Sequence, residues 1–123
     1  MNHPENELIY KVCTVSEWSA ARIKGAFEGS EADLADGFIH FSTADQLQET
    51  VSRHFAGLRD LVLVEVAVTR LEPPLKWEPS RGEALFPHLY GLLPLEAATR
   101  EWPLPLTMDG GHQFPGELEL TNG

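Results

Sequence analysis

Seven polar or aromatic residues stand inside otherwise apolar or turn-rich stretches and have the side chains for chemistry: His40, Ser42, Trp77, Glu78, Arg81, His88 and Tyr90. Imidazoles move protons or hold a hydroxyl, a guanidinium receives an anion, and a carboxylate accepts protons or steadies positive charge. Indole and phenol rings supply walls for a flat ligand. Taken singly, each has a plain structural use: a strand histidine satisfied in the core, a tryptophan covering the core edge, a tyrosine packing its ring and bonding outward. The crowding between Trp77 and Tyr90 is harder to assign to packing. That segment carries the rhythm of Pro79, Gly82 and Pro87, which suits a loop bordering a small-molecule pocket, and it must close over the strand that holds His40.

That strand is the stretch from Gly37 to Thr43. It is short, rich in Phe and Ile, and bounded by Ala35-Asp36-Gly37, so it reads as a buried strand. Successive strand side chains point to opposite faces, which puts Phe38, His40 and Ser42 on one face and Ile39 and Phe41 on the other. An imidazole between an aromatic ring and a hydroxyl suits a ligand pocket. Thr43 and Gln46 then have capping-box spacing, and Leu47, Val51, Phe55 and Leu58 continue a helical stripe to about residue 58. Free N–H groups at that helix start could receive an anion or a polar ligand edge, although Thr43 by itself reads first as a plain cap, since caps are common in every protein.

The other elements position this pair of segments. Leu8 to Val15 reads as a first strand, with Thr14 or Ser16 as N-cap of a helix and Thr14 and Glu17 at capping-box spacing. Ala20, Ile23 and Phe27 give that helix an apolar stripe, Gly29-Ser30 stops it, and Glu28 to Asp36 follows as an acidic loop. Leu61 to Val68 is the clearest strand and must be central, with Val62, Val64, Val66 and Val68 on one face. Glu65 is its anomaly, a carboxylate at a wet end, in a salt bridge, or lining a pocket. Pro73-Pro74 breaks the chain, Leu75 to Glu78 is a short extended piece, and Glu96 to Trp102 reads as a strand or a strand after a short turn.

Length and charge bound the rest. The 123 residues suit one domain able to bury roughly two thirds of its unfolded surface. We expect a flexible N-terminus over 1–7, one globular domain over 8–106, and a loosely held tail over 107–123, where Gly, Asp, Pro and Glu dominate. No apolar run reaches the roughly 20 residues that span a bilayer, and the start of the chain lacks the basic and apolar segments of a secretory signal. The expectation is a cytoplasmic protein with no membrane partner. A net charge of −10 opposes a phosphate backbone, so nucleic acid is not expected, while Arg81, Arg53 or the second helix start could still hold one anionic ligand. The lone Cys13 excludes an intrachain disulfide and reads as a buried, inert thiol. His3, His40, His54, His88 and His112 fall at no metal-ligand spacing, and no Rossmann, P-loop or nucleophile-elbow motif is present. No metal site is expected.

Gly37-Phe38-Ile39-His40-Phe41-Ser42-Thr43, followed by Gln46 and Thr50, then Leu75-Lys76-Trp77-Glu78 and Leu85-Phe86-Pro87-His88-Leu89-Tyr90-Gly91, resembles the bacterial domain of unknown function numbered 952. The resemblance covers roughly residues 8 to 106. It implies an α+β single domain with a split, mostly antiparallel β-sheet and two main helices, similar to the ADP-ribosyltransferase-like fold. It also implies a possible activity on NAD, as substrate, or on a related ADP-ribosyl compound. By that resemblance His40 would bond a ribose hydroxyl, with Ser42 and Thr43 in support. Tyr90 and Trp77 would frame the base, Arg81 would offset pyrophosphate charge, and Glu78 or Glu83 would stabilise developing positive charge. Phe38, Glu65 and His88 complete the ligand-binding candidates. No glutamate has a diagnostic neighbour, so a small-molecule binding or regulatory domain without turnover stands beside the enzyme reading.

Overall fold

The computed structural model describes residues 7–80, 84–116 and 118. Strand β1 (Leu8–Thr14) runs straight into helix α1 (Val15–Lys24), and the junction is the expected capping box. Thr14 Oγ1 accepts from the Glu17 N–H, and Glu17 Oε1 accepts from the Thr14 N–H at 2.9 Å. The helix is shorter than its periodicity predicts, because Gly25 takes a left-handed C-cap. Its buried face is Trp18 and Ala21, while Ile23 is 88% exposed and Phe27 belongs to the next strand, β2 (Ala26–Phe27). The Ala20-Ile23-Phe27 stripe is therefore corrected.

The stretch expected as an acidic loop is a second helix, α2 (Glu31–Asp36). Ser30 and Asp33 close a capping box of their own, and Gly37, at φ 88°, ends the helix in the left-handed conformation that glycine adopts without strain. Strand β3 (Ile39–His40) follows, only two residues long rather than the expected seven, with Ser42 continuing it as an isolated bridge to Tyr10. After a 3-10 turn at Ala44–Gln46, helix α3 (Leu47–His54) buries Leu47 and Val51 and stops before Leu58. Among the described residues there are thus three α-helices rather than two.

Strand β4 (Leu61–Ala67) is central as expected, antiparallel to β1 on one side and to β8 (Ala98–Leu104) on the other. The second sheet has the order β3-β6-β5, with β5 at Leu75–Pro79 and β6 at Leu85–Leu89. A small ribbon pairs β2 with β7 (Leu93–Pro94). All these pairings are antiparallel. The two three-stranded sheets meet where Tyr10 and Ser42 exchange backbone hydrogen bonds of 2.8 and 2.9 Å, then diverge on either side of that pair.

Alternation along β4 divides the core. Val62, Val64 and Val66 join Ile9, Cys13, Trp18, Ile39, Phe41 and Leu89 in one cluster, while Leu61 and Leu63 join Tyr10, Val12, Leu47, Val51 and Leu104 in the other. Cys13 is 1% exposed, and burial, only partly opposed by Lys11, pushes its thiol up to about 12, as befits an inert group. Beyond β8, residues 105–116 turn back on themselves, and Phe114 and Leu118 pack on the second cluster.

Leu63 is fully buried at the middle of the central strand, where deletion of its isobutyl group leaves a cavity that little can fill. Leu63→Ala is expected to lower stability by about 2–5 kcal/mol in urea unfolding. A loss within error of zero would contradict this account of the core.

Candidate functional site

Two histidines meet on the outer face of the β3-β6-β5 sheet. His40 and His88 are paired across β3 and β6, and their rings lie 5.5 Å apart, edge to face. Phe38 caps both, stacked on His88 at 4.1 Å and tilted against His40 at 4.7 Å and Tyr90 at 5.2 Å. Strand alternation makes this face: Phe38 and His40 point to it while Ile39 and Phe41 enter the core, and Phe86, His88 and Tyr90 point to it while Leu89 enters the core.

Each histidine is held by carboxylates. His40 Nδ1 bonds Asp33 Oδ1 at 2.6 Å, and His40 Nε2 lies 2.9 Å from Asp36 Oδ2, so the two aspartates of α2 grip one ring. Asp33 is 2% exposed and has three further partners: the His40 and Ser30 N–H groups and the Lys11 ammonium at 2.7 Å. Burial alone would raise its pKa. The His40 and Lys11 bonds, with the Ser30 N–H, overcome that and hold it well below the usual carboxylate range. Lys11 is itself buried and also donates to the His40 carbonyl at 3.0 Å. Gly29, at φ 123°, lies so close to Asp33 that an added Cβ would stand 2.8 Å from the Asp33 Cβ, so the chain needs glycine there to wrap the acid.

His88 is held by Glu78. Its Nδ1 lies 2.7 Å from Glu78 Oε1, and the Tyr90 hydroxyl donates to the same oxygen at 2.8 Å. The His88 bond and then the Tyr90 bond keep Glu78 below its ordinary value, and the same bond raises the Tyr90 phenol. Lys76, opposite His88 on β5, lies over the Tyr90 ring. His88 is 4% exposed, and its Nε2 is buried with no hydrogen-bond partner among the described residues.

A cleft of about 570 Å³ opens where the sheets diverge, within the size range of small-molecule sites. His40, Ser42 and His88 line it, with Tyr10 to Val12 from β1, Asp33 and Asp36 from α2, and Thr50 from α3. Ser42 and Thr50 share a hydrogen bond of 3.1 Å between their hydroxyls. Glu17 and Glu31 add negative charge to the rim, so the described lining favours a neutral or positively charged ligand end over a phosphate.

The residues expected in a site divide accordingly. His40, Ser42 and His88 reach the cleft; Phe38, Glu78 and Tyr90 stand behind or beside His88. Trp77 does not join them, because it alternates with Glu78 along β5 and points to the opposite face. Thr43 serves the helix start, its N–H bonded to Gln46 Oε1 at 2.9 Å, and is not among the cleft residues. Of the three readings open for Glu65, the salt bridge holds. It is 3% exposed, accepts from Nε and Nη2 of Arg100 at 3.1 and 2.9 Å and from the Thr99 and Tyr10 hydroxyls, and is not itself among the cleft residues. Arg53 pairs with Glu49 on the exposed side of α3. Arg81 and Glu83 lie outside the described residues.

Lys11 and Asp33 escaped the sequence reading. Two signals for them exist: a lysine inside an apolar strand, and a Ser30-to-Asp33 capping spacing within the presumed loop. Among the described residues there is no cluster of three or more potential metal ligands, and no helix is long and apolar enough to cross a membrane.

An α+β chain with mostly antiparallel sheets and a histidine-lined cleft between them is the class that the geometry defines. The chain belongs to the family described as protein of unknown function (DUF952), which matches residues 12–101. It is similar to protein CC0527 from Caulobacter crescentus. The crystal structure of that protein is 52% identical, with a TM-score of 0.82, 86% of this chain and 93% of that one being covered. Its solution NMR structure is 52% identical at a TM-score of 0.76, covering 86% and 91%. No curated protein matches the sequence.

The buried Asp33 makes a pH prediction. Its folded pKa lies below its unfolded one, so its contribution is fully present above the unfolded value of about 4 and is lost as pH falls toward the folded value. Asp33→Asn, which leaves Lys11 buried without its counter-ion, should cost about 3–5 kcal/mol at neutral pH. Its urea midpoint should also fall less steeply than that of the wild type below pH about 4. Parallel pH profiles for the two proteins would contradict the assignment.

Proposed function

We propose that this is an ADP-ribosyltransferase-like protein whose cleft takes NAD or a related ADP-ribosyl compound and acts at the N-glycosidic bond. The observation that carries the reading is the pair of imidazoles, 5.5 Å apart on one wall of a cleft of ligand size, beside the Ser42 and Thr50 hydroxyls. Such a wall suits a ribose, whose hydroxyls both donate and accept. His40, both of whose ring nitrogens are taken by Asp33 and Asp36, orients the sugar by packing, and the ribose hydroxyls bond to Ser42 and Thr50. The acidic lining draws the positively charged pyridinium end of NAD inward and leaves the pyrophosphate toward the mouth. Negative charge near the anomeric carbon favours an oxocarbenium-like transition state more than it favours the ground state. The split antiparallel sheet supports the fold half of the reading.

A second reading, a binding domain without turnover, draws on one feature. Glu78, one of the two glutamates offered for stabilising the cation, is not a cleft residue, and its Oε1 is already taken by His88 and Tyr90. One experiment separates the two. Labelled protein is titrated with NAD and with ADP-ribose by NMR while free nicotinamide is followed in the same tube. The enzyme reading predicts shifts at His40 and His88 together with nicotinamide release that His40→Ala abolishes. Shifts without release favour the binding domain, and no shift with either compound removes the nucleotide as ligand and leaves a cleft for another small molecule.

A further inference from the structure

Nε2 of His88, buried without a hydrogen-bond partner among the described residues, has no role in binding a ribose through His40, and it is costly to keep. A buried acceptor without a partner destabilises a fold by about 1–3 kcal/mol, so native proteins rarely retain one without a use. The geometry also fixes which of its nitrogens carries the proton in the neutral ring. Glu78 is held ionised, an ionised carboxylate only accepts, and the 2.7 Å contact therefore needs the proton on His88 Nδ1. In the neutral ring Nε2 is then a bare lone pair. Phe38 stacked at 4.1 Å, with the Glu78 bond, fixes the plane in which that lone pair points.

We propose that His88 is the proton acceptor for the nucleophile of the glycosidic reaction, its Nε2 taking the proton from a water or acceptor hydroxyl in the cleft, with Glu78 as its positioning residue. The inference rests on the N-glycosidic reading above and adds the group that activates the attacking oxygen. In the step, the oxygen forms a bond to the anomeric carbon as the carbon–nitrogen bond breaks. The bonding pair stays on the pyridinium nitrogen, so nicotinamide leaves neutral. The O–H proton passes to Nε2, and the resulting imidazolium keeps its Nδ1–H bond to Glu78, whose negative charge offsets the new positive one. Solvent removes the proton afterwards. Tyr90 gives Glu78 its second donor, while Lys76 on β5 and His40 on β3 are the other titratable neighbours of the His88 ring. This arrangement also accounts for a glutamate that stands behind the cleft wall: it acts through the imidazole.

The test uses the full chain with NAD as probe. His88→Gln is expected to keep NAD-induced shifts at His40 while nicotinamide release falls by about 10²–10⁴-fold, the usual worth of a general base. Glu78→Gln, which no longer dictates the tautomer, should lower release with its NAD affinity kept. Release from His88→Gln at the wild-type rate would overturn the inference and leave the glycosidic reading standing. No release from the wild type would overturn both. Should His88→Gln fail to fold, nitrogen-15 spectra of the wild-type imidazoles decide. The inference requires Nε2 of His88 unprotonated in the free protein and shifted on adding NAD, and a protonated or unresponsive Nε2 overturns it.

Discussion

Asp33 is a carboxylate taken out of water, and such a group persists in its charged form only where partners replace the water it has lost. Here the partners come from three separate pieces of chain: Lys11 from β1, the Ser30 N–H from the start of α2, and both the backbone and the ring of His40 from β3. The acid therefore ties α2 to the edges of both sheets near the point where they diverge. The opening of the cleft and the posture of His40 follow from that tie. Because removal of any partner leaves a buried charge, the local structure has few alternatives, and specificity of arrangement is what the network contributes.

A second carboxylate–imidazole pair sits one strand away with a different balance. His40 is bonded at both ring nitrogens, so it is a fixed object that presents a face and an edge to the cleft. His88 lines the cleft and is bonded at one, while its other nitrogen is buried without a partner among the described residues. Two neighbouring imidazoles in unlike surroundings are suited to unlike tasks, one to orient and one to exchange a proton. Phe38 packs on both rings without competing for their polar atoms.

Much of this was legible in the chain, and the failures have physical causes. The Thr14–Glu17 and Thr43–Gln46 spacings located two helix starts, and valine alternation located β4, because both signals are local. His88 and Tyr90 come together with Glu78 because β5 and β6 are neighbours in sequence as well as in space. Trp77 was included wrongly, since strand alternation sends it away from Glu78. Helix α2 was missed because its buried residue is a charge, which hydrophobic periodicity does not register. Ile23 misled in the opposite sense, as an apolar residue at helical spacing that faces solvent. The partnership of Lys11 with Asp33 crosses 22 residues and depends on the sheets meeting at Tyr10 and Ser42, which no local pattern states.

The dependence of the site on Asp33 is most directly tested by long-range proton–nitrogen correlation spectra of the histidine rings in the wild type and in Asp33→Asn at neutral pH. The account predicts that the His40 nitrogen resonances move, as the ring loses its Nδ1 carboxylate, while the His88 resonances stay with their Glu78-bonded pattern. Unchanged His40 resonances in a folded Asp33→Asn protein would contradict it.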